Sequence, residues 1–438
     1  MPARNFLRVS GVRLAVILGG LAGVNILLAF FYQWYVLITI GPGWQTDAFF
    51  AGMAVPQLFL AVVTGSMTQV LVPLLATEDL DNFYKEAWSF FQGIGFIFGI
   101  LAVLFFVTAT TWVPWTVPGF DSETKLLTIS LLRIQLVGMV FMALNGVAWS
   151  VYHSRQKFVW AEISPLLGTL GGFVFLLWGL PRFGIIIAAW ATVLRAAIQT
   201  ILLLPGMGGY RAPDWRTNTI REAWRRLYPL LLGSTYYKTG DLVDRFLASM
   251  APAGQLSLLH FANQIYMAGN FILSKAFAAP MVPLLAKRAS EREWFSFRKI
   301  VSNRFRWTLG ITLAVFICIL FSGAPVLSFL FGYGRFTIGE VLTLHWLLVA
   351  LVGVWVGGAL GQILSSSFYA KGNTRTPTKI GVFGFTIGLG MKVVGFLYWG
   401  ILGIAVGTSL YYLLNAFLLK LALQESLNKR ISDSVKEV

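Results

Sequence analysis

The stretch that decides the fold class is LAVILGGLAGVNILLAFFYQWYVLITI, residues 14–40. It contains no charged side chain, and about 20 mostly apolar residues are enough for a helix to cross the hydrocarbon core of a bilayer. It is too long for a strand of a membrane β-barrel and for the apolar core of a cleaved signal peptide. The stretch therefore predicts an uncleaved membrane-spanning helix.

The rest of the chain has the composition of a polytopic membrane protein. Of 438 residues, 57% are hydrophobic and 12% are charged, and the mean hydropathy is +0.73. Soluble proteins carry about 25% charged residues, so a soluble enzyme is excluded. The predicted fold class is all-α, with about twelve transmembrane helices at residues 14–40, 48–76, 87–113, 126–152, 158–180, 183–204, 223–250, 256–286, 305–331, 341–369, 378–399 and 401–423.

The distribution of basic residues predicts the orientation of these segments. The chain has 34 Lys and Arg against 18 Asp and Glu, a net charge of +16. With the N-terminus in the cytoplasm, 25 of the 34 lie on that side, 3 in outer loops and 6 within spans. Cytoplasmic loops of membrane proteins carry such an excess. We expect a multi-pass membrane protein with both termini cytoplasmic, and the positive charge does not indicate nucleic-acid binding.

Two motifs recur at one offset and indicate an internal repeat. GPGWQ at 41–45 and APAGQ at 251–255 lie 210 residues apart, as do the two VPLLA sequences that begin at Val72 and Val282. An offset across six helices preserves their orientation, which is typical of transporters built from parallel repeats. The sequence therefore predicts two pseudo-symmetric six-helix lobes and a cytoplasmic interfacial linker with a short helix. The boundaries are 1–204 for the first lobe, 205–222 for the linker and 223–438 for the second lobe with a short tail.

The sequence lacks the motifs of an enzyme or a cofactor site. It has no nucleotide-binding loop of the form GxxxxGK[ST], its single cysteine is Cys318, and its three histidines have no acid or second histidine at ligand spacing. Asp79-Leu80-Asp81 matches the DxD of sugar-nucleotide transferases, but it is a lone tripeptide in a polar loop. We expect no enzymatic activity, no cofactor and no metal.

Charged side chains inside the predicted spans are the candidate functional residues, because a charge in the bilayer is costly. Six cations lie in the spans, against two clear acids. This surplus of positive charge suits an anionic ligand such as a phosphate group. The predicted substrate-binding residues are Arg195, Lys238, Arg245, Gln264 and Lys275. The predicted ion-coupling or charge-pair residues are Asp241, Asp244 and Lys392.

Helical spacing supports this selection. At about 100° per residue, the four charged residues of the seventh segment, Lys238 to Arg245, fall within an arc of about 120°. Gln264 and Lys275 of the eighth segment share a stripe, because they lie nearly three whole turns apart. The alternative is internal pairing: Lys238–Asp241 and Asp241–Arg245 have the spacings of helical ion pairs that merely neutralise each other.

Five motifs occur in order along nearly the whole chain: TDAFF at 46–50, LVDRFLAS at 242–249, APAGQLSLLHFANQIY at 251–266, FGYGRFT at 331–337 and FYAKGNTRTP at 368–377. Together they resemble the MurJ/MviN family, which belongs to the multidrug/oligosaccharidyl-lipid/polysaccharide exporter superfamily. The resemblance implies a lipid II flippase fold, in which two lobes surround a central cavity that opens alternately to either side. It also implies a location in the cytoplasmic (inner) membrane of a bacterium. Members typically have fourteen helices, and we expect the groove formed by the last two to be missing.

The resemblance does not extend to the family's cavity arginines. The positions of these arginines align here with Tyr32, Ala54 and Gln264. Polar positions linked to sodium binding in some members align with Gly388 and Lys392. We expect the ammonium group of Lys392 to replace the metal ion and to pair with one of the two acids of the seventh segment, since an unpaired lysine at that depth would tend to lose its proton.

These observations favour a flippase-type transporter for a lipid-linked anionic sugar precursor, lipid II or a related lipid. We expect a monomer that contacts membrane lipids, binds no nucleic acid and presents Arg195, Lys238 and Lys275 to the cavity between the lobes. Two alternatives stay open. A drug/cation antiporter of the same superfamily would require net acidic cavity residues, and a non-transporting scaffold would recruit partners through its basic loops.

Overall fold

The computed structural model describes residues 11–76, 80–215 and 217–436. These ranges are helical and contain no β-strand, as a bilayer demands of long apolar segments that must satisfy their own backbone hydrogen bonds. The helices are α1 (Gly11–Ile40), α2 (Trp44–Gly52), α3 (Ala54–Ala76), α4 (Leu80–Thr116), α5 (Ser122–Ser154), α6 (Phe158–Phe183), α7 (Ile186–Leu203), α8 (Asn218–Lys238), α9 (Gly240–Ala248), α10 (Gln255–Leu273), α11 (Ala279–Ser290), α12 (Trp294–Phe331), α13 (Ile338–Ala350), α14 (Val352–Tyr369) and α15 (Arg375–Lys436).

Ten helical stretches of the described residues are long and apolar enough to cross a membrane. The difference from twelve arises at two places. The seventh predicted span is divided between α8 and the short, charged α9, and the eleventh and twelfth both fall on α15. The all-α polytopic class is confirmed, and the number of spans stays a prediction.

α15 consists of two halves that pack against each other. Gly400 has φ 56° and ψ −134°, a conformation outside the helical region that glycine adopts without a steric penalty. Beyond Gly400 the chain returns along the first half, so that the backbones of Gly395 and Gly403 touch and Gly407 lies close to the backbone of Lys392. The break falls between the predicted segments 378–399 and 401–423, and the glycines permit this close packing.

The chain packs as two compact units. Unit 1 comprises the described parts of residues 1–40, 48–116 and 120–239; in it α5 packs against α3, α4 and α7, and α6 packs against α1 and α7. Unit 2 comprises the described parts of residues 41–47, 117–119 and 240–438; in it α14 packs against α12 and α15. The two units do not test the lobe and linker boundaries predicted from the repeat, which stay a prediction.

The linker region contains less helix than predicted, since the short interfacial helix was expected to include Trp215, Ile220 and Trp224. After a short 3₁₀ turn at Leu204–Met207 the chain is irregular, and α8 begins only at Asn218. Gly208, Gly209 and Pro213 explain this, because both residue types disfavour helix. Ile220 and Trp224 therefore lie on a helix as expected, whereas Trp215 lies in a turn before it.

Candidate functional site

The four charged residues of the seventh segment do not lie on one helix. α8 ends at Lys238 and α9 begins at Gly240, so the predicted common face of Lys238 with the other three is wrong. Glycine has a low helix propensity, and here Gly240 packs against the ring of Phe385. The other three residues keep their shared face on α9, in unit 2, and Lys238 belongs to unit 1.

A buried ion pair joins α9 to the first half of α15. The Nζ atom of Lys392 lies 2.7 Å from Oδ1 of Asp244, and the two side chains are only 7% and 13% exposed. Gly407 makes room for this arrangement, because a methyl group there would lie within 2.9 Å of the Lys392 backbone. The predicted distance between Lys392 and a carboxylate of the seventh segment is therefore met, by Asp244.

Arg245 completes a cluster of four charges in unit 2. Its side chain is buried, and Asp241 and Asp244 are both close enough to interact with it electrostatically. His260 of α10 is another electrostatic neighbour of the guanidinium group. The charge cluster, defined as Asp241, Asp244, Arg245 and Lys392, contains two acids and two cations. It therefore carries no surplus of charge.

Arg195 lies on α7 beside Tyr32 of α1, within unit 1. Tyr32 is buried, and its hydroxyl group donates a hydrogen bond of 2.7 Å to the Ala188 carbonyl. Gly172 of α6 leaves space for Arg195, since a methyl group there would lie 2.9 Å from the arginine Cβ. Tyr32 is the residue that the resemblance is expected to align with a family arginine, and α7 places a cation next to it.

Lys238 and Lys275 occupy two different environments. The Nζ atom of Lys238 donates a hydrogen bond to the Ala61 carbonyl of α3. Lys275 is exposed, and its Nζ lies 5.4 Å from the centre of the Phe271 ring. Neither lysine forms an ion pair with a carboxylate of the described residues, and the same holds for Arg195. Together with Arg133, which packs on Phe106, these three cations are the surplus positive charge of the predicted spans.

The predicted stripe of Gln264 and Lys275 is interrupted. Lys275 lies in a π-helical turn, Ser274–Ala278, which departs from the regular spacing on which the stripe depends. Pro280 follows directly in α11, and proline removes the hydrogen bond that would continue a regular helix through this turn. Gln264 itself lies half-buried on the regular part of α10.

A cavity in unit 1 with two amide side chains in its wall was not predicted. It has a volume of about 410 Å³ and is lined by residues of α3, α5 and α7, among them Asn145, Trp149 and Gln199. Asn145 is fixed by two hydrogen bonds, to the Ala196 carbonyl at 3.1 Å and from the Thr200 hydroxyl at 2.8 Å. Gln199 lies one helical turn after Arg195. Two uncharged amides within apolar segments were the only sequence signal for this cavity.

Asp47 has a structural role that its motif alone did not reveal. Its buried carboxylate accepts hydrogen bonds from the backbone N–H groups of Gly254 and Ser257, at 2.6 and 2.7 Å. These groups begin α10, where unsatisfied N–H groups and the helix dipole favour a negative charge. Asp47 and Ser257 are equivalent positions of the repeat, 210 residues apart. The TDAFF motif therefore supplies the N-terminal cap of α10.

Arg133, one of the six cations in the predicted spans, and the DxD tripeptide offer little to a site. The guanidinium group of Arg133 lies 4.8 Å from the centre of the Phe106 ring, and its Nε donates to the Phe106 carbonyl. The DxD tripeptide begins at Asp79, which lies outside the described residues. In the ranges that the structure covers, no group of three or more acidic, histidine or cysteine side chains is arranged to hold a metal ion.

Known proteins resemble this chain in sequence and in structure. The family model "Lipid II flippase MurJ" matches residues 37–437. The probable lipid II flippase MurJ of Buchnera aphidicola is 23% identical over 90% of this chain and 80% of its own length. The lipid II flippase MurJ of Burkholderia cenocepacia is 22% identical over 86% of this chain and 75% of its own.

Two solved structures share the fold. A lipid II flippase MurJ in an inward closed conformation matches 96% of this chain and 91% of its own with a TM-score of 0.82, at 19% identity. An inward-facing multidrug resistance MATE transporter matches 95% and 99% with a TM-score of 0.75, at 17% identity. The apolar helices and the family match identify a multi-pass inner-membrane protein. Because the family model spans residues 37–437, the chain belongs to the lipid II flippase MurJ family.

Proposed function

We propose that this protein moves a lipid-linked anionic sugar precursor, lipid II or a close relative, across the inner membrane by alternating access. It acts as a transporter and catalyses no covalent step. It works as a monomer with both termini in the cytoplasm. Membership of the lipid II flippase MurJ family supports the substrate class, and the similarity to two named flippases, at 23% and 22% identity, extends over most of their length.

The observation that carries the proposal is the set of unneutralised cations in the predicted spans. The charge cluster of unit 2 is balanced, whereas Arg195, Lys238 and Lys275 have no carboxylate partner among the described residues. A cation in a membrane helix is costly unless it lies in a wet cavity or meets an anion. The phosphate groups of a lipid-linked sugar supply that anion, and arginine binds phosphate by paired hydrogen bonds.

The same charges argue against the two alternatives. A drug/cation antiporter would need acids to bind a cationic substrate, but the acids of the charge cluster already face cations. A scaffold would have no use for unpaired charge within its spans. The likeness to MATE structures does not favour an antiporter, because at 17% identity it reports the fold alone.

Asp47 supports the alternating-access part of the proposal. The N-terminal cap of α10 comes from Asp47 of α2, 207 positions before the N-cap residue Gly254, so it can break without unfolding either helix. Its two hydrogen bonds to a charged acceptor are worth about 1.5–3 kcal/mol each. A contact of this strength stabilises the conformation in which α2 and α10 are joined. It is also weak enough for substrate binding to break.

The Lys392–Asp244 ion pair supports a further part of the proposal, namely that transport does not depend on sodium. The ammonium group is a compact cation that already lies at 2.7 Å from a buried carboxylate. A metal ion bound to Asp244 would have to displace it. We therefore propose that Lys392 provides a permanent positive charge where an exchangeable cation would otherwise couple transport to an ion gradient.

A depletion experiment tests the proposed function. Depleting the protein from the bacterium that encodes it should cause a lipid-linked precursor to accumulate on the cytoplasmic side. The wild-type protein and Arg133→Ala should reverse this accumulation, whereas Arg195→Ala should not, although it should reach the membrane in normal amount. Increased drug sensitivity without precursor accumulation would favour the antiporter instead, and neither effect would favour the scaffold.

A further inference from the structure

A small apolar cavity in unit 1 lies between the N-terminal half of α4, the linker region and α8. Its volume is about 150 Å³, and its walls include Met67, Phe90, Ile94, Trp215, Trp224 and Leu227. A cavity of this size and character is large enough for a benzene molecule in other proteins. It is therefore large enough for a short length of hydrocarbon chain and too small for a helix of another protein.

Polar contacts hold the linker residues that line one side of the cavity. Lys85 of α4 forms a 2.8 Å ion pair with Asp214, and the Ser89 hydroxyl accepts the backbone N–H of Asp214 at 2.9 Å. These bonds hold Trp215 so that its ring lies against Gly93, where a methyl group would be 2.6 Å from the ring. The position of Trp215 is therefore set by the polar contacts of its neighbour, not by filling of the cavity.

The cavity opens at the level of a membrane interface. α4 has 37 residues, which at about 1.5 Å per residue is about 55 Å, well beyond a hydrocarbon core of about 30 Å. The cavity lies beside the third to fifth turns of α4, one turn beyond the charged Lys85, and its rim residues Phe96, Trp215 and Trp224 are exposed. Tryptophan is typical of the interfacial zone, where one side of a ring is apolar and the other is wet.

Basic side chains flank the opening. Arg221 and Arg225 of α8 are exposed, and each directly follows a residue of the cavity wall, Ile220 and Trp224. At about 100° per residue they lie at the edge of the apolar face of α8. Arg221 makes no ion pair with the described residues, whereas Arg225 lies 2.8 Å from Glu222. Arg221 is thus positioned to contact a phosphate group above the cavity.

We propose that this cavity binds an anionic phospholipid of the adjacent leaflet, separate from the transported substrate. The end of the chain nearest the headgroup enters the cavity between α4 and α8, and the phosphate group contacts Arg221. The combination of an apolar cavity, an aromatic rim and an unneutralised arginine matches the two ends of one lipid molecule. The bound lipid packs between α4 and α8, and thereby stabilises the start of α8 in unit 1.

Native mass spectrometry of the purified full chain tests this proposal. The protein is titrated with phosphatidylglycerol or phosphatidylcholine of identical chains, and the retained lipid is counted. Phosphatidylglycerol should bind at least about tenfold more tightly. Arg221→Gln should weaken its binding about fivefold, the effect of about one interfacial arginine. Ile97→Trp, which fills the cavity, should abolish retention of both lipids.

Arg226→Gln is the matched control, because Arg226 is an exposed arginine of the same helix on a different face. It should retain phosphatidylglycerol like the wild type. Equal binding of the two lipids, an equal loss in the two arginine variants, or full retention by folded Ile97→Trp would each overturn the proposal. Arg221→Gln is a surface change that leaves the fold intact, so a failure of Ile97→Trp to fold does not prevent a decision.

Discussion

Removing either partner of the Lys392–Asp244 ion pair should destabilise the protein far more than removing both. Lys392→Met keeps the length of the side chain but leaves the Asp244 carboxylate buried without its ammonium partner. Asp244→Leu leaves the ammonium group of Lys392 buried without its carboxylate. The double variant places two apolar side chains in contact and leaves no unpaired charge between them.

The burial of the pair sets the expected magnitude. With side chains only 7% and 13% exposed and a separation of 2.7 Å, the pair resembles buried ion pairs in which loss of one partner costs about 3–5 kcal/mol. Lys392→Met should lie at the low end, because Arg245 still interacts with Asp244. The double variant should be within about 1 kcal/mol of the wild type, since apolar replacement of a buried pair is often nearly neutral.

Reversible unfolding in mixed micelles, followed by tryptophan fluorescence, measures the four free energies of unfolding in this cycle. The Lys85–Asp214 pair is a matched control: its separation is 2.8 Å but its side chains are 43% and 38% exposed. Its coupling energy should not exceed about 1 kcal/mol. A coupling energy for Lys392–Asp244 as small as that of the control would refute the reasoning. So would a sodium-dependent increase in wild-type stability, which would show that a metal ion binds the native state.

Three further predictions concern single positions. Asp47→Asn should lose about 1–3 kcal/mol of stability with the charged cap of α10, while Asp121→Asn, at the exposed cap of α5, should lose less in the same unfolding measurement. Gly403→Ala should prevent accumulation of folded protein in the membrane, because its methyl group would overlap the Gly395 carbonyl. The control Gly390→Ala has open space around the new methyl group, so it should be tolerated or should stabilise the protein by about 0.5–1 kcal/mol. Burial, together with the nearby Arg430, lowers the pKa of Lys371 to about 8, from about 10.4 in an unfolded chain. The unfolded chain therefore binds more protons between these pH values, so wild-type thermal stability should rise from pH 8 to 10, and Lys371→Met should lack this rise.

The membrane class and the helical segments could be predicted because they depend on local composition. An apolar run of 20 or more residues has few alternatives to a helix in a bilayer, and the break at Gly400 lies where two predicted segments meet. The break between Lys238 and Gly240 and the π-helical turn at Ser274–Ala278 were missed for a physical reason. Gly240 and Pro280 mark the two places in the sequence, but both residue types also occur within continuous membrane helices, so helical spacing alone does not reveal the irregularities.

The candidate site, too, could be predicted from the sequence only in part. Charged residues in apolar segments are conspicuous, so Asp244 and Lys392 could be selected, and the distance between them agrees with the predicted pairing. The contact of Arg195 with Tyr32 could not be predicted, because it joins helices 163 positions apart with no repeat to relate them. Asp47 was recognised only as part of a motif. Its role as a cap for α10 appears only when the start of that helix is seen beside it.

Transport of a labelled lipid II across reconstituted vesicles tests the central claim most directly. The fraction of label that becomes accessible at the opposite leaflet should rise with wild-type protein, in sodium-containing and sodium-free buffer alike. Arg195→Ala should remain at the level of protein-free vesicles, and Arg133→Ala should transport like the wild type. Transport by Arg195→Ala at the wild-type rate, or transport only in the presence of sodium, would contradict the account.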